Sequence, residues 1–376
     1  RLTIQPKKIN FFNRELSVRH QVKKTVLFLL SAVITGGLLY SLLSQTRWTD
    51  WEKVFFRLNY LGLASYLTLY AGNLFLRTWR YHILLKATHT ADRPSFGSLT
   101  LVTMVRNMLV DFLPARLGSL SYIVILNQVM KVDLAPCLTS FTYSFIFDLL
   151  GLAPLLGIFL FISLPEFSGA GLALGAAALL LTGSSLLFFL FIEPVLALVQ
   201  RVLQRRETRR PAPAWSLKIR AYVLHLEESL VDLGTGRVFW LLLTVSVAIR
   251  LIKYLMLSLL LLSIITAITG APANLPWYLI FLGLIASEAA AALPIGGLAG
   301  FGLYEGVMGL ILSAQGIDSS QALLISFFQH LLTQIVDYGS GAGALIYLMT
   351  FRSMRFSFRR GVKPDGHLDS GGKDQK

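Results

Sequence analysis

Long apolar stretches alternate with short polar or basic ones along the whole chain. Stretches at about 25–43, 58–85, 134–164, 171–196, 238–269 and 319–349 are each long enough to cross the roughly 30 Å hydrocarbon layer of a bilayer as a helix. Two further apolar regions, about 96–130 and 276–313, are interrupted. The first breaks at Arg106–Ser119 (RNMLVDFLPARLGS), the second at Leu293–Glu305 (LPIGGLAGFGLYE). Lipid offers no hydrogen bond to a free N–H or C=O, so non-helical backbone at membrane depth survives only when shielded by protein or lining a wet cavity. Each break therefore marks a candidate site.

Composition agrees with the pattern. Of 376 residues, 55% are hydrophobic and 14% charged, which excludes an ordinary soluble enzyme of this length. The formal charge is +14, from 34 basic and 20 acidic residues, and the excess lies in tails and loops. Short basic runs beside apolar segments fit orientation and anionic headgroups, not nucleic acid. Cys137 is the one cysteine, and the six histidines lack ligand spacing, so neither a disulfide nor a metal or other cofactor is expected.

Charge also sets the expected topology. Residues 1–24 carry Lys7, Lys8, Arg14, Arg19, Lys23 and Lys24 against Glu15, and the 200–236 linker is basic and proline-bearing at its start, so both are expected in the cytoplasm. The stretch Ser44–Arg57, with Trp48 and Trp51, reads as an external loop with interfacial anchors. The tail 351–376 is basic, then polar and Gly-rich, and reads as cytoplasmic and disordered. Counting spans between these markers, the first broken hairpin enters and leaves on the cytoplasmic side and the second on the other side.

The expected fold is thus an all-α, polytopic membrane protein. Two inverted repeats each carry a broken, re-entrant hairpin, and additional helices span the membrane. The first membrane half covers 25–199, with its hairpin at 96–130, and the second covers 237–350, with its hairpin at 276–313. Arg77-Thr-Trp-Arg80-Tyr81 in one half corresponds to Arg250-Leu-Ile-Lys253-Tyr254 in the other, each ahead of a Leu-Pro break. Such paired breaks are the sequence sign of a transporter built from repeats.

Ionisable residues within the apolar segments are the candidate chemistry. Arg250 and Lys253 lie mid-span, where a cation costs at least about 2.5 kcal/mol, so they face the interior. There they either capture an anionic group or pair with Glu288, Glu305 or Asp337. Asn73, Arg77 and Arg80 share one helical face, continued by Tyr66 and Tyr70. Arg106, Asn107 and Arg116 bracket the first break, and Arg116 is placed beside a restarting helix N-terminus that favours an anion. In the second break Gly296, Gly297, Gly300 and Gly302 permit close backbone approach. Glu288 and Glu305 flank it, as carriers of a coupling proton, contacts to a cationic headgroup, or ion-pair partners. His330, Thr333, Gln334 and Asp337 form a polar stripe, and Ser144 with Asp148 a shorter one. His330 either relays protons or packs by hydrogen bonding. No nucleophile–base set, nucleotide-binding loop or zinc motif is present, so no enzymatic activity is expected.

Through Arg77-Thr-Trp-Arg80, Asn107 to Leu113-Pro114-Ala-Arg116-Leu-Gly118, Phe147-Asp148, and Leu293-Pro294-Ile-Gly296-Gly297 to Gly302 and Glu305, the chain resembles the lysylphosphatidylglycerol synthase transmembrane-region family, also described as a flippase-domain family. The resemblance covers about residues 25–350. It implies an inner-membrane protein that moves phospholipids, aminoacylated phospholipids or glycolipids between leaflets. Ser119 and Tyr122 stand where the family commonly has Glu and then Arg, which leaves headgroup identity open. The expected partners are anionic lipid or glycolipid headgroups, with a second copy of the chain or a lipid-synthesising enzyme as further candidates. The rival readings are a non-transporting membrane partner of such an enzyme, and a membrane enzyme acting on lipid phosphates.

Overall fold

The computed structural model describes residues 48–88, 93–163, 236–272, 275–293 and 301–360 as continuous runs, with scattered positions between 36 and 44 and between 183 and 226. Among the described residues every regular element is helical, as the apolar periodicity predicts. Two helices, Leu134–Phe159 and Arg237–Thr269, are long and apolar enough to cross a membrane.

The stretch read as an external loop is instead a helix, α1, over Trp48–Arg57. Trp48, Trp51, Val54 and Phe55 recur at helical spacing, and burial of Val54 with partial burial of Trp51 favours the helix, while Phe55 stays 57% exposed. Trp51 sits edge-on to Phe328 at 4.9 Å, and Val54 is buried.

Helix α2, Tyr60–Ala87, starts where Asn59 Oδ1 accepts the Leu61 N–H at 3.0 Å. This satisfies one of the four unbonded donors at a helix start. Helix α3, Phe96–Phe112, is capped by Ser95 Oγ and ends two residues before Pro114. Pro114 cannot donate and its ring excludes continuation, so the break falls where the sequence places it. The chain does not leave a gap and then restart a helix. It winds directly into a 3-10 helix over Pro114–Leu120, one α-turn, α4 (Ser121–Val124), and a wide π-type turn over Ile125–Val129.

Five further helices are described: α5 (Leu134–Ser163), α6 (Arg237–Thr269), α7 (Trp277–Ala291), α8 (Leu303–Ala314) and α9 (Ser319–Arg360). Gly270, at φ +75°, terminates α6 in the left-handed conformation. Asp318 Oδ1 accepts the N–H groups of Ser320 and Gln321 and opens α9.

Helix α6 is the hub: α2, α5, α7, α9 and α1 all pack on it. At Gly151 a Cβ would lie 2.8 Å from the Ser246 carbonyl carbon, so α5 can approach α6 this closely only without a side chain there. Two apolar clusters form along the bundle. One joins Tyr66 of α2, Leu260 of α6 and Phe328 of α9; the other joins Tyr81 of α2, Leu99 of α3 and Ala344 of α9. The turns of α2 and α9 between these clusters carry polar residues, and those turns face one another.

Candidate functional site

Between the two apolar clusters lies a cavity of about 120 Å³. Helix α2 contributes Tyr70, Asn73 and Arg77; α3 contributes Arg106, Asn107 and Asp111; α5 gives Asp148, α6 Arg250 and Lys253, and α9 Asp337. Seven residues singled out from the sequence, Arg77, Arg106, Asn107, Asp148, Arg250, Lys253 and Asp337, therefore share one wall-to-wall site built from five helices.

Their partners divide the cations into two kinds. Arg250 sets Nη2 3.5 Å from Asp148 Oδ1 and donates from Nε to the Asp148 carbonyl at 3.3 Å. Lys253 Nζ lies 2.5 Å from Glu288 Oε1 of α7, and Tyr254 Oη donates to the other Glu288 oxygen at 3.4 Å. Both mid-span cations are thus paired with carboxylates, Arg250 sharing Asp148 with Arg80. For Arg250 the partner is Asp148, not one of the three acids considered from the sequence. Such pairs answer the cost of burying charge.

Arg77 and Arg106 differ. Arg77 donates from Nε to Asn73 Oδ1 at 2.8 Å, and Asn73 is itself held by its Nδ2–H to the Ile249 carbonyl of α6 at 2.6 Å. Neither arginine has a carboxylate within ion-pair distance among the described residues, and the buried Nε of Arg106 has no hydrogen-bond partner. Both residues line the cavity. Across from them Asp337 Oδ1 accepts from Tyr70 Oη at 2.8 Å, and Tyr70 Oη also meets Ser340 Oγ at 3.0 Å.

Arg80 does not line the cavity. It is 1% exposed and donates to Asp148 Oδ1 at 3.0 Å, Ser246 Oγ at 3.0 Å and Ser144 Oγ at 2.8 Å. The sequence put Arg80 with Asn73 and Arg77 as candidate binding chemistry, but the structure turns it into the crossing of α2, α5 and α6. Glu305 and His330 also lie apart from the cavity lining, paired with each other through Oε1 and Nδ1 at 2.6 Å. The side chain of Arg116 and the glycines Gly296 and Gly297 fall outside the described residues.

Besides the apolar Val110 and Met256, two polar cavity residues were given no role from the sequence. Asp111 lies one helical turn after Asn107, and that i, i+4 spacing from a chosen residue was the available signal. Tyr70 was placed on the correct face of α2 but assigned no chemistry.

Helical bundle, long apolar helices and a buried basic cavity together describe a membrane domain. The family model for the lysylphosphatidylglycerol synthase TM region matches residues 28–341, and the chain belongs to that family. No curated protein and no solved structure matches the chain. The family description ties this membrane domain to lipid-related functions.

Proposed function

We propose that this protein moves a phosphate-bearing lipid, an anionic phospholipid, aminoacyl-phospholipid or glycolipid, between the leaflets of the inner membrane. The observation that carries the reading is the pair Arg77 and Arg106. Two arginines with no carboxylate within ion-pair distance among the described residues line one cavity, next to cations that are paired with carboxylates. A planar guanidinium offers a phosphate two parallel donors, and the pair would supply the counter-charge that a headgroup needs in order to leave water.

The proposed protein is a multi-pass carrier, not an enzyme, with both termini in the cytoplasm. Its two halves are inverted repeats, α2 to α5 and α6 to α9, each with a re-entrant hairpin. Part of the packing supports this reading, because it recurs when the halves are exchanged, although the α5–α6 contact has no α9–α2 counterpart of similar extent. Helix α2 lies on its counterpart α6, α3 packs on α9 as α7 packs on α5, and α2 meets α5 as α6 meets α9. The cavity lies where the two halves meet, the place expected for a substrate in repeat-built transporters.

The test is lipid movement in vesicles of phosphatidylethanolamine and phosphatidylglycerol carrying a fluorescent phosphatidylglycerol, read by quenching of the outer leaflet. Purified protein should accelerate exchange between leaflets. A hydrogen bond to a charged group contributes about 1.5–3 kcal/mol, so Arg77→Ala and Arg106→Ala should each slow exchange about tenfold or more. An unchanged rate in the double variant would remove these arginines from the path. No exchange with the wild-type protein would remove lipid movement of this class.

A further inference from the structure

A second polar cluster lies outside the cavity. Glu305, in the first turn of α8, is fully buried. Its Oε2 accepts the Gly302 N–H at 2.6 Å, where Gly302 holds φ +123°, a conformation open to glycine. Its Oε1 lies 2.6 Å from His330 Nδ1 of α9. Phe301 stacks on the imidazole at a centroid distance of 4.4 Å, and Tyr304 covers it at 4.6 Å. The far ring nitrogen, Nε2, lies 2.9 Å from the Gln334 Nε2.

With the Gln334 amide in this orientation its nitrogen donates, so His330 Nε2 accepts and the ring proton sits on Nδ1, facing the carboxylate. With Glu305 ionised, the cluster in this arrangement carries one negative charge. Gln334 is 5% exposed, and its Oε1 has no hydrogen-bond partner. A half-turn of the Gln334 amide presents that oxygen to Nε2 instead, and a second ring proton then has an acceptor. The site accommodates both protonation states, with one rotation between them.

His330, Gln334 and Asp337 follow at i, i+4 and i+7 on one face of α9, and Asp337 lines the arginine cavity. From this geometry we infer that Glu305, His330 and Gln334 form a proton-binding site in series with the cavity, so that lipid movement is coupled to uptake and release of one proton. The inference rests on the lipid-moving reading for its coupling, and on the cluster alone for its proton. In uptake one proton from water adds to His330 Nε2, and in release it returns to water; the charge of the cluster changes from −1 to 0. Other titratable groups surround it. They are Tyr304 on α8, Tyr66 on α2, Tyr254 and Lys253 on α6, Glu288 on α7, which pairs with Lys253, and Asp337 further along α9.

The experiment uses the full chain in vesicles of phosphatidylethanolamine and phosphatidylglycerol with fluorescent phosphatidylglycerol as the probe. A pH difference is imposed across the membrane. For one proton per lipid, the leaflet distribution of the probe shifts by up to about tenfold per pH unit. Glu305→Gln and His330→Gln should keep probe movement while losing its response to the gradient; a matched thermal unfolding profile shows that each variant is folded. Wild-type movement that ignores the gradient overturns the coupling and leaves lipid movement standing. If the wild type moves no probe, infrared titration of the same protein decides the proton site. A protonation step that both variants lose supports it, and its absence in the wild type overturns it.

Discussion

Arg77 and Arg80 are one turn apart on α2, yet they belong to two different regions. Arg80 enters the crossing of α2, α5 and α6, where Asp148, Ser144 and Ser246 take its donors and exposure falls to 1%. Arg77 reaches the cavity between α2 and α3, where one asparagine is its hydrogen-bond partner. The same residue type is thus held by a carboxylate and two hydroxyls on one side, and by one asparagine among the described residues on the other. A buried cation is informative about function only once its partners are known.

The largest effect should come from breaking the crossing. Asp148→Ala leaves Arg80 buried with no counter-charge, and removal of one partner of a buried pair destabilises by about 3–5 kcal/mol. Thermal unfolding in detergent should show a steep loss of Tm, with part of it recovered in the double variant Arg80→Met, Asp148→Leu. Arg106→Gln should do the reverse. It removes one of two like charges on the cavity, so Tm should hold or rise slightly while exchange of fluorescent phosphatidylglycerol slows about tenfold. The smallest effect is expected at Asn73→Ala. That change deletes the link from Arg77 to the Ile249 carbonyl, worth about 1 kcal/mol, and should slow exchange about fivefold without abolishing it. If Asn73→Ala instead unfolds the protein, Arg77 belongs with Arg80 and the contrast between the two regions collapses.

Much of this was legible in the chain. Apolar length and the two Leu-Pro breaks gave the helices and the end of α3 at Phe112, because proline chemistry is local. Mid-span position alone marked Arg250 and Lys253 as interior residues, because lipid penalises them wherever the partner stands. Partner identity was not legible. Whether Lys253 meets Glu288 or Asp337 depends on how α7 and α9 rotate against α6, and no spacing within one helix encodes that. Helix α1 was missed because its charges, Asp50, Glu52 and Lys53, outweigh its apolar stripe in a hydropathy reading, although the stripe has helical period. The 3-10 segment after Pro114 was missed for another reason: Leu117 and Gly118 permit either a gap or a tight turn, and packing on α3 selects the turn.

The Arg80 pair also bears on how the chain is made. On the proposed topology α2 leaves the ribosome with an arginine that a bilayer penalises by about 2.5–3.5 kcal/mol. Its counter-charge, Asp148, is 68 residues downstream on α5, and the Ser246 hydroxyl is later still, on α6. Until those helices arrive, α2 gains by staying at the insertion machinery or near the interface. Biogenesis would then proceed by delayed partnering, and a chain truncated before α5 would be a poor membrane insert however apolar its individual helices.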